Sequence, residues 1–322
     1  MRNATLGSSG VRVSVLGLGC GNFGGVGSAP ELFGRGDDEP AAFTLLDCAV
    51  EHGMSLLDTA NSYGGGRSEE IVGRWLRSRG TRDDVVLTTK VRNRVGPRPE
   101  DEGLSARHIT EQVDRSLTRL QVEHIDLYLA HEPDPATPME ETIEAFDGLV
   151  RAGKIGHYGL SNYSGSQLMN ALAAAAGMSR PANLQNSYSL LDGDEDDLTN
   201  CVNLGVGFTA FSPLAGGWLT GKYRAGEPFP AGSRMTLRPE PYAALQSPDT
   251  FAAIDALAQH AIARGLDLAT LALAWVLTDP RVSAAIVGPR TPAQLVQMLA
   301  ALSVTLSPAD RADLSAIARH RT

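Results

Sequence analysis

The chain has 322 residues, 43% hydrophobic and 20% charged, a composition that fits a globular protein and excludes a disordered one. A net charge of −9 and a pI near 5.3 argue against a broad nucleic-acid-binding face. Cys20, Cys48 and Cys201 show no C-x-x-C spacing, which points to a reducing compartment without structural zinc, and no apolar run reaches membrane-spanning length.

In chain order, ATLGSSGVRVS reads as a short hairpin with SSG at its turn. Strand signals follow at 13–19 (VSVLGLG), 55–60 (SLLDTA), 85–90 (VVLTTK), 125–131 (IDLYLAH), 154–162 (KIGHYGLSN), 183–189 (NLQNSYS), 206–212 (VGFTAFS) and 283–288 (SAAIVG). Helix-period segments alternate with them: DEPAAFTLLDCAVEH, SEEIVGRWLRS, SARHITEQVDRSLTRL, TPMEETIEAFDGLVRAG and SGSQLMNALAAAA. DTFAAIDALAQHAIARG, TLALAWVLT, TPAQLVQMLAAL and SPADRADLSAIAR come toward the end. Many open on Ser, Thr or Asp with Glu or Gln three positions later, a capping pattern. Eight strands alternating with helices predict an α/β (β/α)8 TIM barrel carrying a short N-terminal hairpin and extra helices. No linker divides the chain, so 1–322 reads as a single domain. The stretch 223–248 is long and irregular, and is expected to form a lid over the barrel mouth. The polar opening MRNATLGSSG lacks a signal-peptide pattern, so a cytoplasmic protein is expected.

Gly19, Gly21 and Gly24 form G-x-G-x-x-G directly after a strand. A dinucleotide fingerprint needs a helix to open there, with its N-terminus toward the pyrophosphate. GVGSAPELFGRGDD follows instead, and no Tyr has Lys four positions on. Both Rossmann-type readings weaken together.

The strand ends carry a different pattern. Asp58 ends the second barrel strand with Tyr63 beyond it, Lys90 ends the third, and His131 ends the fourth. In a barrel, the C-terminal strand ends form the reactive face. Each residue alone has an ordinary structural explanation, as a turn cap, loop aromatic, strand-end cation or backbone partner. Together they suit hydride transfer to a carbonyl, in which the developing alkoxide must receive a proton. A phenol with a pKa of ~10 is a weak acid at neutral pH. A nearby ammonium is expected to lower that value, with Asp58 holding Lys90 and His131 orienting the carbonyl oxygen. Lysine is rare in this chain, at positions 90, 154 and 222 only, and supplies a compact charge that arginine does not. Asp58, His131 and Glu132 could instead bind a divalent ion, but that leaves Tyr63 and Lys90 without a role, so no metal is expected.

At these residues the sequence resembles the aldo-keto reductase family nearly end to end. The pieces are LDTANSYG, LTTK, DLYLAH, GKIGHYGLSN, NLQNSY, FSPLAGGWLTGKY and IVGPRTPAQL. The resemblance implies a barrel that binds NADPH without a Rossmann domain, with Asp58, Tyr63, Lys90 and His131 as catalytic tetrad and Tyr63 as general acid/base. It implies that Ser161, Asn162 and Gln185 hold the nicotinamide carboxamide. Phe211 stands where the family usually stacks a Tyr on the nicotinamide ring. Ser212, Leu214, Gly216 and Lys222 match the pyrophosphate strap; Gly288, Arg290, Thr291 and Gln294 match the grip on the adenosine 2′-phosphate. Gly21 and Asn22, with Phe23, are further candidates after the first strand. Gln297 and Met298 replace a usual Glu and Asn, so preference for NADP over NAD is expected to rest on Arg290. The expected activity is NADPH-dependent reduction of an aldehyde or ketone, on a small-molecule carbonyl substrate with no nucleic-acid or membrane partner. The alternatives are a cofactor-binding sensor or regulatory subunit with slow turnover, or a reductase dedicated to a keto-sugar or specialised metabolite. Residues 22–38, Glu132, Trp218 and the lid would line its pocket. Oligomeric state is not legible from the sequence.

Overall fold

Among the described residues, 1–319, the computed structural model closes eight parallel strands into a barrel. A hairpin precedes it: β1 (Asn3–Thr5) pairs antiparallel with β2 (Arg12–Ser14). The barrel strands are β3 (Leu16–Gly19), β4 (Leu56–Asp58), β5 (Val86–Val91), β6 (Ile125–Ala130), β7 (Ile155–Ser161), β8 (Asn183–Ser187), β9 (Gly207–Phe211) and β10 (Ala284–Val287). Each strand pairs with its chain neighbour, and β10 returns to β3.

The expected strand 13–19 is corrected to two strands that part at Val15. Ser14 explains the break. Its hydroxyl donates to the Leu16 carbonyl at 2.6 Å and accepts from the backbone of Ser55 and Leu56 at 2.9 and 3.2 Å. The chain therefore leaves the hairpin and enters the barrel at one buried side chain. Leu6 and Val13 of the hairpin bury against the inward-facing Leu56, Leu127, Leu129, Ala284 and Ile286, plugging the N-terminal end of the barrel.

The surrounding helices are α1 (Glu39–Glu51), α2 (Arg67–Arg79), α3 (Ala106–Leu120), α4 (Met139–Arg151), α5 (Gly165–Ala174), α6 (Glu195–Leu204), α7 (Arg234–Leu237), α8 (Pro248–Ala263), α9 (Leu268–Leu277), α10 (Pro292–Leu299) and α11 (Pro308–Arg319). Asp38, Ser105, Ser164, Ser247, Asp267 and Thr291 each cap a helix by accepting from the backbone N–H three residues on. The sequence reading missed α6 and treated the lid as irregular, whereas the lid contains α7 and a helical turn over 240–245. Among the described residues no single helix is long and apolar enough to cross a membrane. The pair α8 and α9 passes by length and composition together, yet bends by 90°.

Register fixes which residues can meet. Laterally paired residues share a face, and residues two apart on a strand share it too. Gly19 pairs with Asp58, Asp58 with Thr88, and Lys90 with Leu129, so Asp58 and Lys90 point to one side. Leu129 pairs with Gly159, Ser161 with Gln185, and Ser187 with Phe211. The same parity thus runs through Asp58, Lys90, His131, Ser161, Gln185 and Phe211, all on the inward face at the C-terminal end.

Candidate active site at the open end of the barrel

Lys90 is 1% exposed and Asp58 3%. Lys90 Nζ donates to Asp58 Oδ1 at 2.5 Å, to the Thr59 carbonyl at 3.0 Å and to the Tyr63 hydroxyl at 3.5 Å. Gln185 Nε2 donates to the other Asp58 oxygen at 2.9 Å, across the barrel from β8. The carboxylate is therefore clamped from two strands and in turn clamps the ammonium. The Tyr63 ring meets the His131 ring edge-on, with centroids 5.5 Å apart. The His131 backbone carbonyl accepts from Asn162 Nδ2 at 2.9 Å, and its Nδ1 lies 3.4 Å from Asn93 Nδ2. The structure brings Asp58, Tyr63, Lys90 and His131 together as the strand ends predicted.

The electrostatics differ from the sequence expectation at one point. Burial raises the Tyr63 pKa, and the opposing Lys90 charge does not cancel it, so the phenol stays above its ordinary value. The reason is visible in the distances: the ammonium sits closer to Asp58 than to Tyr63. Lys90 itself is penalised by burial, yet Asp58 and Tyr63 hold its pKa above the usual value. Burial, followed by the charges of Lys90, Arg238 and Arg92, drives His131 well below the ordinary histidine value. At neutral pH the arrangement is a protonated phenol, an ammonium and a neutral imidazole. Such a set can donate a proton and a hydrogen bond to one oxygen.

Most of the other sequence-chosen residues gather along β7 to β10, while Gly21 and Asn22 follow β3. Ser161 is buried, and Asn162 holds a positive φ of 62° beside it. Phe211 ends β9; Ser212 follows with φ 51°, and its hydroxyl lies 2.8 Å from that of Tyr242 in the lid. Leu214 is buried, and Gly216 has φ 63°. A methyl on Gly216 would stand 2.6 Å from the Tyr242 ring, so only glycine lets the lid close on this loop. Gly288 faces open space. Thr291 caps α10, and the Gln294 side chain accepts from the Arg290 backbone N–H at 2.8 Å. Gly21 lies against Tyr63, with the ring 3.6 Å from where its methyl would be. Asn22 Oδ1 accepts from Arg234 at 3.3 Å. Met298 packs against the core, and Gln297 bonds Asp267 at 3.2 Å.

Two features escaped the sequence reading. Arg234 joins Lys222 and Arg290: partial desolvation and then the charges of these two arginines lower the Lys222 pKa. Three cations crowded beside a glycine-lined loop suit a ligand with several phosphates. Arg290 is also not a free fork, because its Nε and Nη2 donate to Asp37 Oδ1 at 3.1 and 3.0 Å. The second oxygen of Asp37 is buried without a hydrogen-bond partner, and burial raises the pKa of this carboxyl despite Arg290. Only the serine before Arg234 and the acidic GDD run around Asp37 mark either residue in the sequence. Glu132, expected to line the pocket, pairs with Arg92 at 2.7 Å. Among the described residues no cluster of His, Cys, Asp and Glu could hold a metal ion.

The family model described as "Aldo/keto reductase family" matches residues 15–319. A protein of Arabidopsis thaliana described as a probable voltage-gated potassium channel subunit beta is 35% identical over 312 residues, covering 94% of this chain and 92% of its own. A putative voltage-gated potassium channel subunit beta of Schizosaccharomyces pombe is 36% identical, covering 92% and 87%. YrpG of Bacillus subtilis, described as an uncharacterized oxidoreductase, is 36% identical over 331 residues, covering 95% and 92%.

Proposed function

Because the chain belongs to the aldo/keto reductase family, we propose that it reduces an aldehyde or ketone to the alcohol, with NADPH as the reductant. One observation carries this reading: the Tyr63 hydroxyl, the Lys90 ammonium and the neutral His131 ring converge at the open end of the barrel around the Asp58 clamp. The bound nicotinamide would supply a hydride to the carbonyl carbon. Tyr63 keeps its proton until the carbonyl oxygen gains charge, then gives it up at Oη. Lys90, held by Asp58 and Thr59, stabilises the phenolate that remains. His131 donates an N–H to the same oxygen and orients it. Ser161, Asn162 and Gln185 would hold the carboxamide, with Phe211 against the ring. Ser212, Leu214, Gly216, Lys222 and Arg234 would take the pyrophosphate, and Gly288, Arg290, Thr291 and Gln294 the adenosine end. The free cysteines suit a reducing, cytoplasmic setting.

The test is consumption of NADPH with 4-nitrobenzaldehyde by the protein and its Tyr63→Phe variant. Loss of the proton donor is expected to lower turnover by ~10²–10⁴-fold while NADPH binding, followed by its fluorescence, stays. Equal consumption by both proteins removes Tyr63 as the donor. A second reading, favoured by the descriptions of the plant and yeast relatives, is a nicotinamide-binding regulatory subunit of slow turnover. Tight NADPH binding with turnover far below the common ~1–10³ s⁻¹ range across an aldehyde panel supports that reading instead.

A further inference from the structure

Arg238 closes the lid segment that begins with α7: its backbone N–H donates to Arg234 O at 2.8 Å, and Pro239 follows. Its half-buried side chain turns inward. The guanidinium Nη1 stands 2.4 Å from where a methyl on Gly27 would be, so the glycine is the wall against which it lies. Gly27 is part of the Tyr63 surround: its carbonyl accepts from Gly64 N at 2.9 Å, and its N–H donates to the Gly21 carbonyl at 2.7 Å. Arg238 therefore reaches from the lid to the wall beside the phenol. Its charge is felt by both Tyr63 and His131.

Of the cations whose charge reaches Tyr63 or His131, the other two are paired. Lys90 is matched by Asp58 at 2.5 Å and Arg92 by Glu132 at 2.7 Å. Among the described residues, Arg238 has no ion-pair partner within 4 Å and no side-chain hydrogen bond. In a chain of net charge −9, Arg238 is thus the one of these three cations left uncompensated among the described residues, and no protein acceptor meets its five N–H donors. A half-buried guanidinium has given up part of its hydration, so an oxyanion that docks on it pays less desolvation and meets donors that no protein acceptor engages.

We propose that Arg238 is the specificity-determining residue of this site and that the carbonyl substrate carries an oxyanion, a carboxylate or a phosphate ester, which docks on its guanidinium. The inference rests on the carbonyl reductase reading and names the substrate class for it. A planar fork favours oxyanions over neutral polar groups, because two parallel N–H···O bonds form at once.

The experiment compares matched pairs. 4-Carboxybenzaldehyde is set against its methyl ester, and glyceraldehyde 3-phosphate against glyceraldehyde, with NADPH and at fixed ionic strength. The anionic member of at least one pair is expected to show a tenfold or greater advantage in kcat/KM, carried by KM. The pair that shows it tells carboxylate from phosphate. Arg238→Met brings that ratio close to one, Arg238→Lys retains part of it, and Arg238→Glu inverts it. A calorimetric titration of 4-(hydroxymethyl)benzoate against the corresponding benzamide, on the wild type and on Arg238→Met, reads the same contact without turnover. If neither aldehyde pair is reduced but the carboxylate binds in an Arg238-dependent way, the reductase reading falls and the anion site stands. If the aldehydes are reduced with no anionic advantage, or the advantage survives Arg238→Met, the anion site falls and the reductase reading stands. An Arg238→Met variant that loses NADPH affinity and keeps the substrate ratio assigns the arginine to the cofactor and also overturns the proposal.

Discussion

Replacing Lys90 with Met tests the clamp directly. Methionine is of similar length and fits a buried site, but it removes the ammonium paired with Asp58 and leaves a carboxylate that is 3% exposed. What remains on Asp58 is one hydrogen bond from Gln185 at 2.9 Å, while the Thr59 carbonyl loses a donor at 3.0 Å. Removing one partner of a buried ion pair costs about 3–5 kcal/mol, because the other charge stays behind without compensation. Against a total stability of ~5–15 kcal/mol for a folded domain, that is a large fraction. Asp58→Asn in the Lys90→Met background removes the stranded charge while keeping an oxygen for Gln185. The double variant is therefore expected to recover about 2–3 kcal/mol relative to Lys90→Met, a coupling of the size seen for residues in one network. Urea unfolding followed by the fluorescence of Trp75, Trp218 and Trp275 measures it without cofactor or substrate. A double variant no more stable than Lys90→Met refutes the argument that Asp58 depends on Lys90 for its burial.

Four further outcomes follow from the same geometry. Burial and the charges of Lys90, Arg238 and Arg92 hold His131 well below 6.5, so the unfolded chain takes up a proton that the folded chain refuses. Its stabilising neutral form is thus fully effective above about pH 6.5, and stability falls as pH drops toward the folded pKa. The contribution is about 1.4 kcal/mol per pH unit; His131→Gln should remove that increment from the urea-unfolding slope between pH 6 and 5, and identical slopes contradict it. Because the Tyr63 pKa lies above its ordinary value, carbonyl reduction should show no loss from deprotonation of Tyr63 as pH rises to about 10; a basic limb near pH 8 that Tyr63→Phe abolishes would count against it. Leu6→Ala opens the plug under the barrel and should cost ~2–5 kcal/mol in urea unfolding without altering NADPH affinity. Asp37→Asn releases Arg290 from its carboxylate and should tighten NADPH relative to NADH by tenfold or more in fluorescence titrations; an unchanged ratio means that Arg290 does not meet the 2′-phosphate.

Much of this was legible because strand ends in a barrel are ordered by parity. Asp58, Lys90 and His131 close three successive apolar runs, and that alone places them on one inward face. The acidic helix α6 was missed because EDDLTNCVNL offers few apolar positions: only Asp197, Leu198 and Cys201 are buried there. The parallel order of β8 and β9 required a crossover, and Asp194 with three following acids marks its start. The break at Val15 was hidden because the apolar run VSVLGLG continues through it, and only the hydroxyl of Ser14 reveals the corner. The sign at Tyr63 was misjudged for a different reason. Sequence order brings the ammonium near the phenol but says nothing about how much water is lost, and desolvation wins. Asp37 and Arg290 lie more than 250 residues apart in the chain, so no local pattern could show that one occupies the other.

The two ends of the barrel divide the work of folding from that of recognition. At the N-terminal end, Leu6 and Val13 are fully buried beneath the inner layer, and Ser8 N–H ties the hairpin to the Gly205 carbonyl at 2.8 Å. At the C-terminal end, Arg92, Asn162, Ser212 and Ala215 hold positive φ angles just beyond β5, β7 and β9; a fifth such residue, Gln121, caps α3. Non-glycine residues in that region cost of order 1–3 kcal/mol each, less for Asn, and persist only where their surroundings enforce them. Strain of this kind at one end is tolerable because the other end is closed and apolar. It also has a geometric effect: each such residue turns the chain sharply off its strand, so that the loop after β9 can meet Tyr242 and the residues after β5 can present Arg92 to Glu132. A barrel whose loops left the strands without these turns would keep the Asp58–Lys90 clamp, since both residues lie inside β4 and β5, but would lose the rim. Stability and the clamp should therefore survive relaxation of the rim, whereas discrimination between ligands should not.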